Sequence, residues 1–203
     1  TTEVSLSDAF RLYMKDGSFR RTLSSGFFTY QEGGFVAKSG ESLKFSDVIQ
    51  DKKIIGIEVV PICNEKNIDY EQFLSSMKEI RKKFQEGNQA TLVDCLSLLF
   101  DERGWSAAEF GQETAQTRDL FSKIKKKQRK NFKKKTLVQI LIGLRLPKYV
   151  REFLLEKNGT PFSIYDEDDV LYDFILASGI DIDTADKLLK NLGKEGFINE
   201  FEA

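Results

Sequence analysis

Between positions 123 and 135 the chain carries Lys123, Lys125, Lys126, Lys127, Arg129, Lys130, Lys133, Lys134 and Lys135, with no acid among them. Ammonium and guanidinium groups at this density can neutralise phosphates, and each neutralised phosphate adds salt-dependent affinity for a nucleic acid. Just ahead of the run, Arg118, Asp119, Ser122 and Lys123 are spaced to share one face of a helix. These side-chain types can read base edges: Arg and Lys donate to guanine, and Asp accepts from the cytosine amino group. The candidate contacts are therefore Arg118, Asp119, Ser122 and Lys123 toward bases. Thr117, Lys125, Lys126 and Lys127 are assigned to phosphates, with Arg129 and Lys130 continuing the basic track.

Other chemistries are poorly supplied. The chain contains no histidine, which removes the commonest general base and the commonest metal ligand. Ser-His and Cys-His nucleophile systems are thereby excluded. The two cysteines, Cys63 and Cys95, lie far apart in apolar contexts and read as buried free thiols. No phosphate loop or cysteine pair is present. The expectation is a non-enzyme with no catalytic residue, no metal site and no cofactor. No apolar run approaches the roughly 18 residues of a membrane span, and the first residues lack the basic and apolar regions of a leader. A cytoplasmic protein without a membrane partner is expected.

Net charge is −1, from 31 basic and 32 acidic residues, but the charges are segregated. From position 166 onward acids dominate, with Asp166, Glu167, Asp168, Asp169, Asp173, Asp181, Asp183 and Asp186 among them. Such a tail is a solvated helical surface or folds back on the basic run.

The elements that must position these residues follow from periodicity and punctuation. Ser5 or Ser7 caps a first helix to about Met14, with Ala9, Phe10, Tyr13 and Met14 on its apolar side. The KDGS stretch at 15–18 is a turn signal. Strands at 27–30 and 35–37 flank a Gly33-Gly34 turn, and 46–50 is ambiguous. The β-branched run at 54–62 is a buried strand, ended or held at a sheet edge by Pro61. Phe73, Met77, Ile80 and Phe84 form one stripe of a connecting helix that closes a core.

From Ala90 the chain becomes short helices with tight breaks. Leu92, Leu96, Leu99 and Phe100 mark one, ended by Arg103-Gly104. Ser106 and Glu109 make a capping box for the next, and Trp105 staples to Phe110. Thr117 caps a third helix that buries Phe121 and Ile124 against Phe110. Helices at 136–144 and 148–157 flank Leu146-Pro147, with Phe132 as a core anchor in the basic run. Two more span about 168–177 and from an Asp183 cap to Gly193.

The stretch from Glu109 to Lys125, EFGQETAQTRDLFSKIK, resembles the lambda-repressor-like (Xre/Cro-type) helix-turn-helix family, whose pattern is roughly E-F-A-x-x-T-G-L-S-x-x-T-Y-S-x-I-K. The likeness continues through TLVQILIGLRLPKYVREFLLEKNG and covers about 90–193. The first 65 residues match no family. The chain departs from the pattern at Ala115, where the family has its turn glycine, and at Gln116, where it has a buried apolar residue. Asp119 also departs by standing on the groove-facing side.

With the N-terminal elements read from periodicity, the resemblance implies an α+β chain. A small N-terminal α/β unit (1–65) and a connecting helix (66–88) precede a helix-turn-helix domain (89–160) and an acidic helical extension (161–203). It implies a repressor-like, bacterial or phage DNA-binding transcription regulator on double-stranded DNA, with a homodimer on a pseudo-palindromic site. The competing expectation is a protein-interaction module that keeps the fold, such as an antitoxin, an anti-repressor or a nuclease inhibitor. Its partner would be met through the N-terminal unit or the acidic C-terminus.

Overall fold

The computed structural model describes residues 3–24, 28–37, 41–45, 57–61, 82 and 91–199. Among them the chain is α+β, mostly helical with a small antiparallel sheet. The expected connecting helix with its Phe73, Met77, Ile80 and Phe84 stripe lies outside the described residues, as do Cys63 and 46–50.

Ser5 caps α1 (Leu6–Lys15) by accepting from the Asp8 amide. Ala9, Phe10, Leu12 and Tyr13 are buried, while Met14 is exposed. The KDGS turn signal proves to be a break of one residue. Asp16 accepts from the Ser18 and Phe19 amides, starting α2 (Gly17–Ser24) at once. Phe19 and Leu23, one turn apart, bury its inner side.

The sheet is a meander of β1 (Phe28–Gln31), β2 (Gly34–Ala37), β3 (Glu41–Phe45) and β4 (Ile57–Pro61). Gln31 pairs with Gly34, so the hairpin turn is Glu32-Gly33 and not the expected Gly33-Gly34. Both turn residues have positive φ, 48° and 82°, the backbone that matches strand twist in a two-residue hairpin. β3, with Leu43 buried, went unread in the sequence.

The second half contains α3 (Leu92–Arg103), α4 (Ala107–Thr114), α5 (Arg118–Lys125), α6 (Lys134–Leu144), α7 (Lys148–Lys157), α8 (Glu167–Ser178) and α9 (Ile182–Asn191). α6 is the central one: 137–142 and Leu144 are all buried, as expected of a helix apolar on every side. It packs against α4, α7, α8 and α9. α9 is capped by Asp181, which accepts from the Thr184 amide, and not by the expected Asp183.

The N-terminal unit is not set apart. α1, α2 and β1 pack on α8, through Phe10 and Tyr13 on Phe174 at 5.5 and 5.3 Å. The Tyr13 hydroxyl donates to Asp173 at 2.6 Å, and Asp173 faces the buried Arg151 of α7 at 3.9 Å. Burial, then the Asp173 charge, drives the Tyr13 phenol pKa upward.

α4 comes close to α6 at Gly143. A Cβ there would meet the Glu113 carbonyl at 2.9 Å and the Trp105 ring at 3.0 Å. Gly143→Ala is expected to destabilise the fold by about 1–3 kcal/mol through overpacking, read as a lower urea midpoint at an unchanged slope.

Candidate nucleic-acid interface

α4 and α5 are two short helices set by their caps. Ser106 and Glu109 close a capping box on α4, and Trp105 ahead of the cap lies 6.2 Å from the Phe110 ring, forming the expected staple. The Ser106 amide and hydroxyl hold the Glu109 carboxyl pKa down. Thr117 caps α5 by accepting from the Leu120 amide at 3.2 Å. Between them lie Ala115 and Gln116. Ala115 takes the left-handed conformation, φ 53° and ψ 30°, which costs a residue with a Cβ about 1 kcal/mol.

The break is held from inside. The buried Thr114 hydroxyl donates to the Phe110 carbonyl at 2.6 Å and accepts from the Gln116 amide at 3.2 Å. Gln116, standing where the family pattern has a buried apolar plug, donates its side-chain amide to Gln139 Oε1 on α6 at 2.8 Å. Gln139 in turn donates to the Thr114 and Phe197 carbonyls at 3.2 and 3.4 Å. A polar plug thus serves because its amide and that of Gln139 both find acceptors.

α5 turns Leu120 and Ile124 into the core. Phe121 stacks on Phe100 of α3 at 5.5 Å and tilts against Phe110 at 5.4 Å. Thr117, Arg118, Asp119 and Lys123 are exposed, and Ser122 is half-buried. The outward face is not electrostatically open throughout, because Lys123 pairs with Asp119 at 2.6 Å across one turn.

The basic run divides into two sets. Lys125 pairs with Asp101 at 2.5 Å and Lys127 with Asp94 at 2.7 Å, both tying the end of α5 to α3. Lys134 pairs with the buried Asp169 at 2.7 Å and Lys135 with Glu195 at 3.3 Å, so the acidic extension does meet the far end of the run. Among the described residues, Arg118, Lys126, Arg129, Lys130 and Lys133 make no ion pair. Arg129 lies over the Phe132 ring at 5.7 Å.

Sequence reasoning missed what pins this loop. Asn158, buried at the end of α7, accepts from the Phe132 amide and donates to the Phe132 carbonyl, both at 2.9 Å. The Asn-Gly pair there reads only as a helix stop. Phe132 is buried, as its anchor role required.

Other chemistry is sparse among the described residues. No group of three or more Cys, Asp or Glu converges to hold a metal. Cys95 is a buried free thiol whose pKa is pushed up to about 11, chiefly by burial. A cleft of about 190 Å³ lies between Tyr13, Arg20, Lys148, Phe162 and Asp173, smaller than the roughly 300 Å³ at which small-molecule sites begin. No described helix is long and apolar enough to cross a membrane. No protein-family model, curated protein or solved structure matches the chain.

Two outcomes are expected. Ala115→Gly should stabilise the fold by about 1 kcal/mol, since glycine enters the left-handed region without a Cβ penalty; a higher urea midpoint is the check. The second concerns pH. Lys127, with the Thr91 hydroxyl and amide, holds the Asp94 carboxyl from its ordinary 3.8 down to about 2. A lowered folded-state pKa contributes stability that is complete above 3.8 and is lost as pH falls toward 2. The wild type should therefore lose more melting temperature across that window than Asp94→Asn does.

Proposed function

We propose that the chain is a repressor-like DNA-binding regulator that seats α5 in the major groove of double-stranded DNA, as a helix-turn-helix protein does. The observation that carries this is the continuity of α5 with the unpaired cations. A helix locked into the core by Leu120 and Ile124 exposes Thr117, Arg118 and Lys123. It then runs directly into Lys126, Arg129, Lys130 and Lys133, which no carboxylate among the described residues neutralises. Base edges would be met by Arg118, Asp119, Ser122 and Lys123, and phosphates by Thr117, Lys126, Arg129 and Lys130. The Thr117 hydroxyl accepts from an amide and keeps its proton to donate to a phosphate oxygen. Lys125 and Lys127 serve chiefly to hold α5 on α3, which sets the angle at which it would enter a groove.

A second reading, an interaction module working on another protein, is favoured by Ile164 and Tyr165. These two residues stand 71% and 93% exposed beside the acidic start of α8. In that case Arg118→Ala with Lys123→Ala would leave capture of the partner unchanged.

The test is duplex binding by fluorescence anisotropy in rising salt. Affinity should fall steeply with salt, and Lys126→Gln and Lys130→Gln should each reduce the log–log slope by about 1. Lys125→Gln should instead lower stability and leave the slope near that of the wild type. Absence of binding to any duplex at low salt would remove the DNA reading.

A further inference from the structure

The Asp119–Lys123 pair is the one feature of α5 that opposes simple attraction to DNA. Its carboxylate and ammonium lie 2.6 Å apart, with side chains 69% and 46% exposed, on the outward face and one turn apart. No other described element pairs with them. A carboxylate in this position repels phosphates, and it occupies the lysine that would otherwise attract them. For non-specific binding through the backbone the pair is a cost on both counts.

A base pair in the major groove offers a different surface. Cytosine presents its N4 amino group as a donor, and the guanine paired with it presents O6 and N7 as acceptors. An intact Asp–Lys pair is the complement of that edge, an acceptor next to a donor. The pair can keep its own contact while Asp119 accepts from N4 and Lys123 donates to O6 or N7. An A·T pair also offers an amino group, adenine N6, but on the same base the N7 acceptor lies beside it and repels a carboxylate, whereas cytosine has no acceptor beside N4 in the major groove.

We infer that Asp119 and Lys123 act as one reading unit for a C·G base pair, with Asp119 as the specificity-determining residue that also suppresses binding to unrelated DNA. This rests on the DNA reading proposed above. The carboxylate lowers affinity for every sequence through phosphate repulsion, and only a site with a cytosine amino group in register recovers the loss.

The experiment is unbiased selection from a random duplex library, run in parallel with wild type, Asp119→Ala and Asp119→Asn. Anisotropy titrations on the selected duplex and a scrambled duplex accompany it. Wild type should select a motif containing a C·G pair at which substitution weakens binding about 10-fold or more. Asp119→Ala should lose discrimination at that pair alone and bind the scrambled duplex several-fold more tightly at the same salt. Asp119→Asn, which brings both a donor and an acceptor, should shift the preference there toward A·T, because an Asn amide pairs with adenine N6 and N7. Position 119 is exposed, and circular dichroism melts establish that both variants are folded. If both variants select the wild-type motif with unchanged discrimination at every position, the inference is overturned while DNA binding stands. If wild type binds no duplex at any salt, both fall together.

Discussion

A single buried amide, the side chain of Gln139 on α6, holds the candidate interface in place. Its oxygen accepts from Gln116, and its nitrogen donates to the carbonyls of Thr114 and Phe197. Ala115 enters the left-handed region to reverse the chain, which takes the Thr114 carbonyl out of the helical ladder and leaves it facing the interior. A buried carbonyl without a donor costs about 1–3 kcal/mol. Gln139 supplies that donor and fastens the break to the central helix and to the C-terminal segment. This contact, with the packing and ion pairs of α5 on α3, places α5 and the exposed cations on it.

Around it, aromatic packing and charge pairing divide the work. Phe100 sits between Trp105, Phe110 and Phe121, with ring centroids 5.3–5.5 Å apart, and joins α3, α4 and α5 into one body. The pairs Lys125–Asp101 and Lys127–Asp94 then close the end of α5 onto α3. Exposed pairs of this kind stabilise weakly, so their main effect is to fix where the α5 backbone ends. The loop beyond is set by the Asn158 clamp on Phe132. The cations on that loop are presented from an anchored backbone.

The N-terminal unit shares this body. The rings of Phe10 and Tyr13 pack on Phe174, and Gly179 at the end of α8 leaves room for Thr29 of β1, which a Cβ would meet at 3.0 Å. The acidic extension is therefore the surface on which the first elements dock, in addition to carrying the carboxylates that meet Lys134 and Lys135.

The sequence by itself determined whatever is decided within about four residues along the chain. The caps at Thr117 and Ser106 with Glu109, the Trp105 staple, the burial of Phe110 and Ile124, and the stop at Gly104 are all of this kind, whereas Phe121, expected buried, is half-buried. Each depends on a backbone amide or a helical face that the local spacing already specifies. The local expectation missed by one or two residues where the turn fell at Glu32-Gly33 and the cap at Asp181, and it took for a turn the one-residue break at Asp16. Only the tertiary structure decided which lysines are paired and which are open, and how a glutamine could serve in a turn where an apolar residue was expected. Asp101 lies 24 residues from Lys125, and Gln139 lies 23 from Gln116. Contacts at that range exist because helices cross at particular places in space, and no periodicity along the chain encodes the crossing.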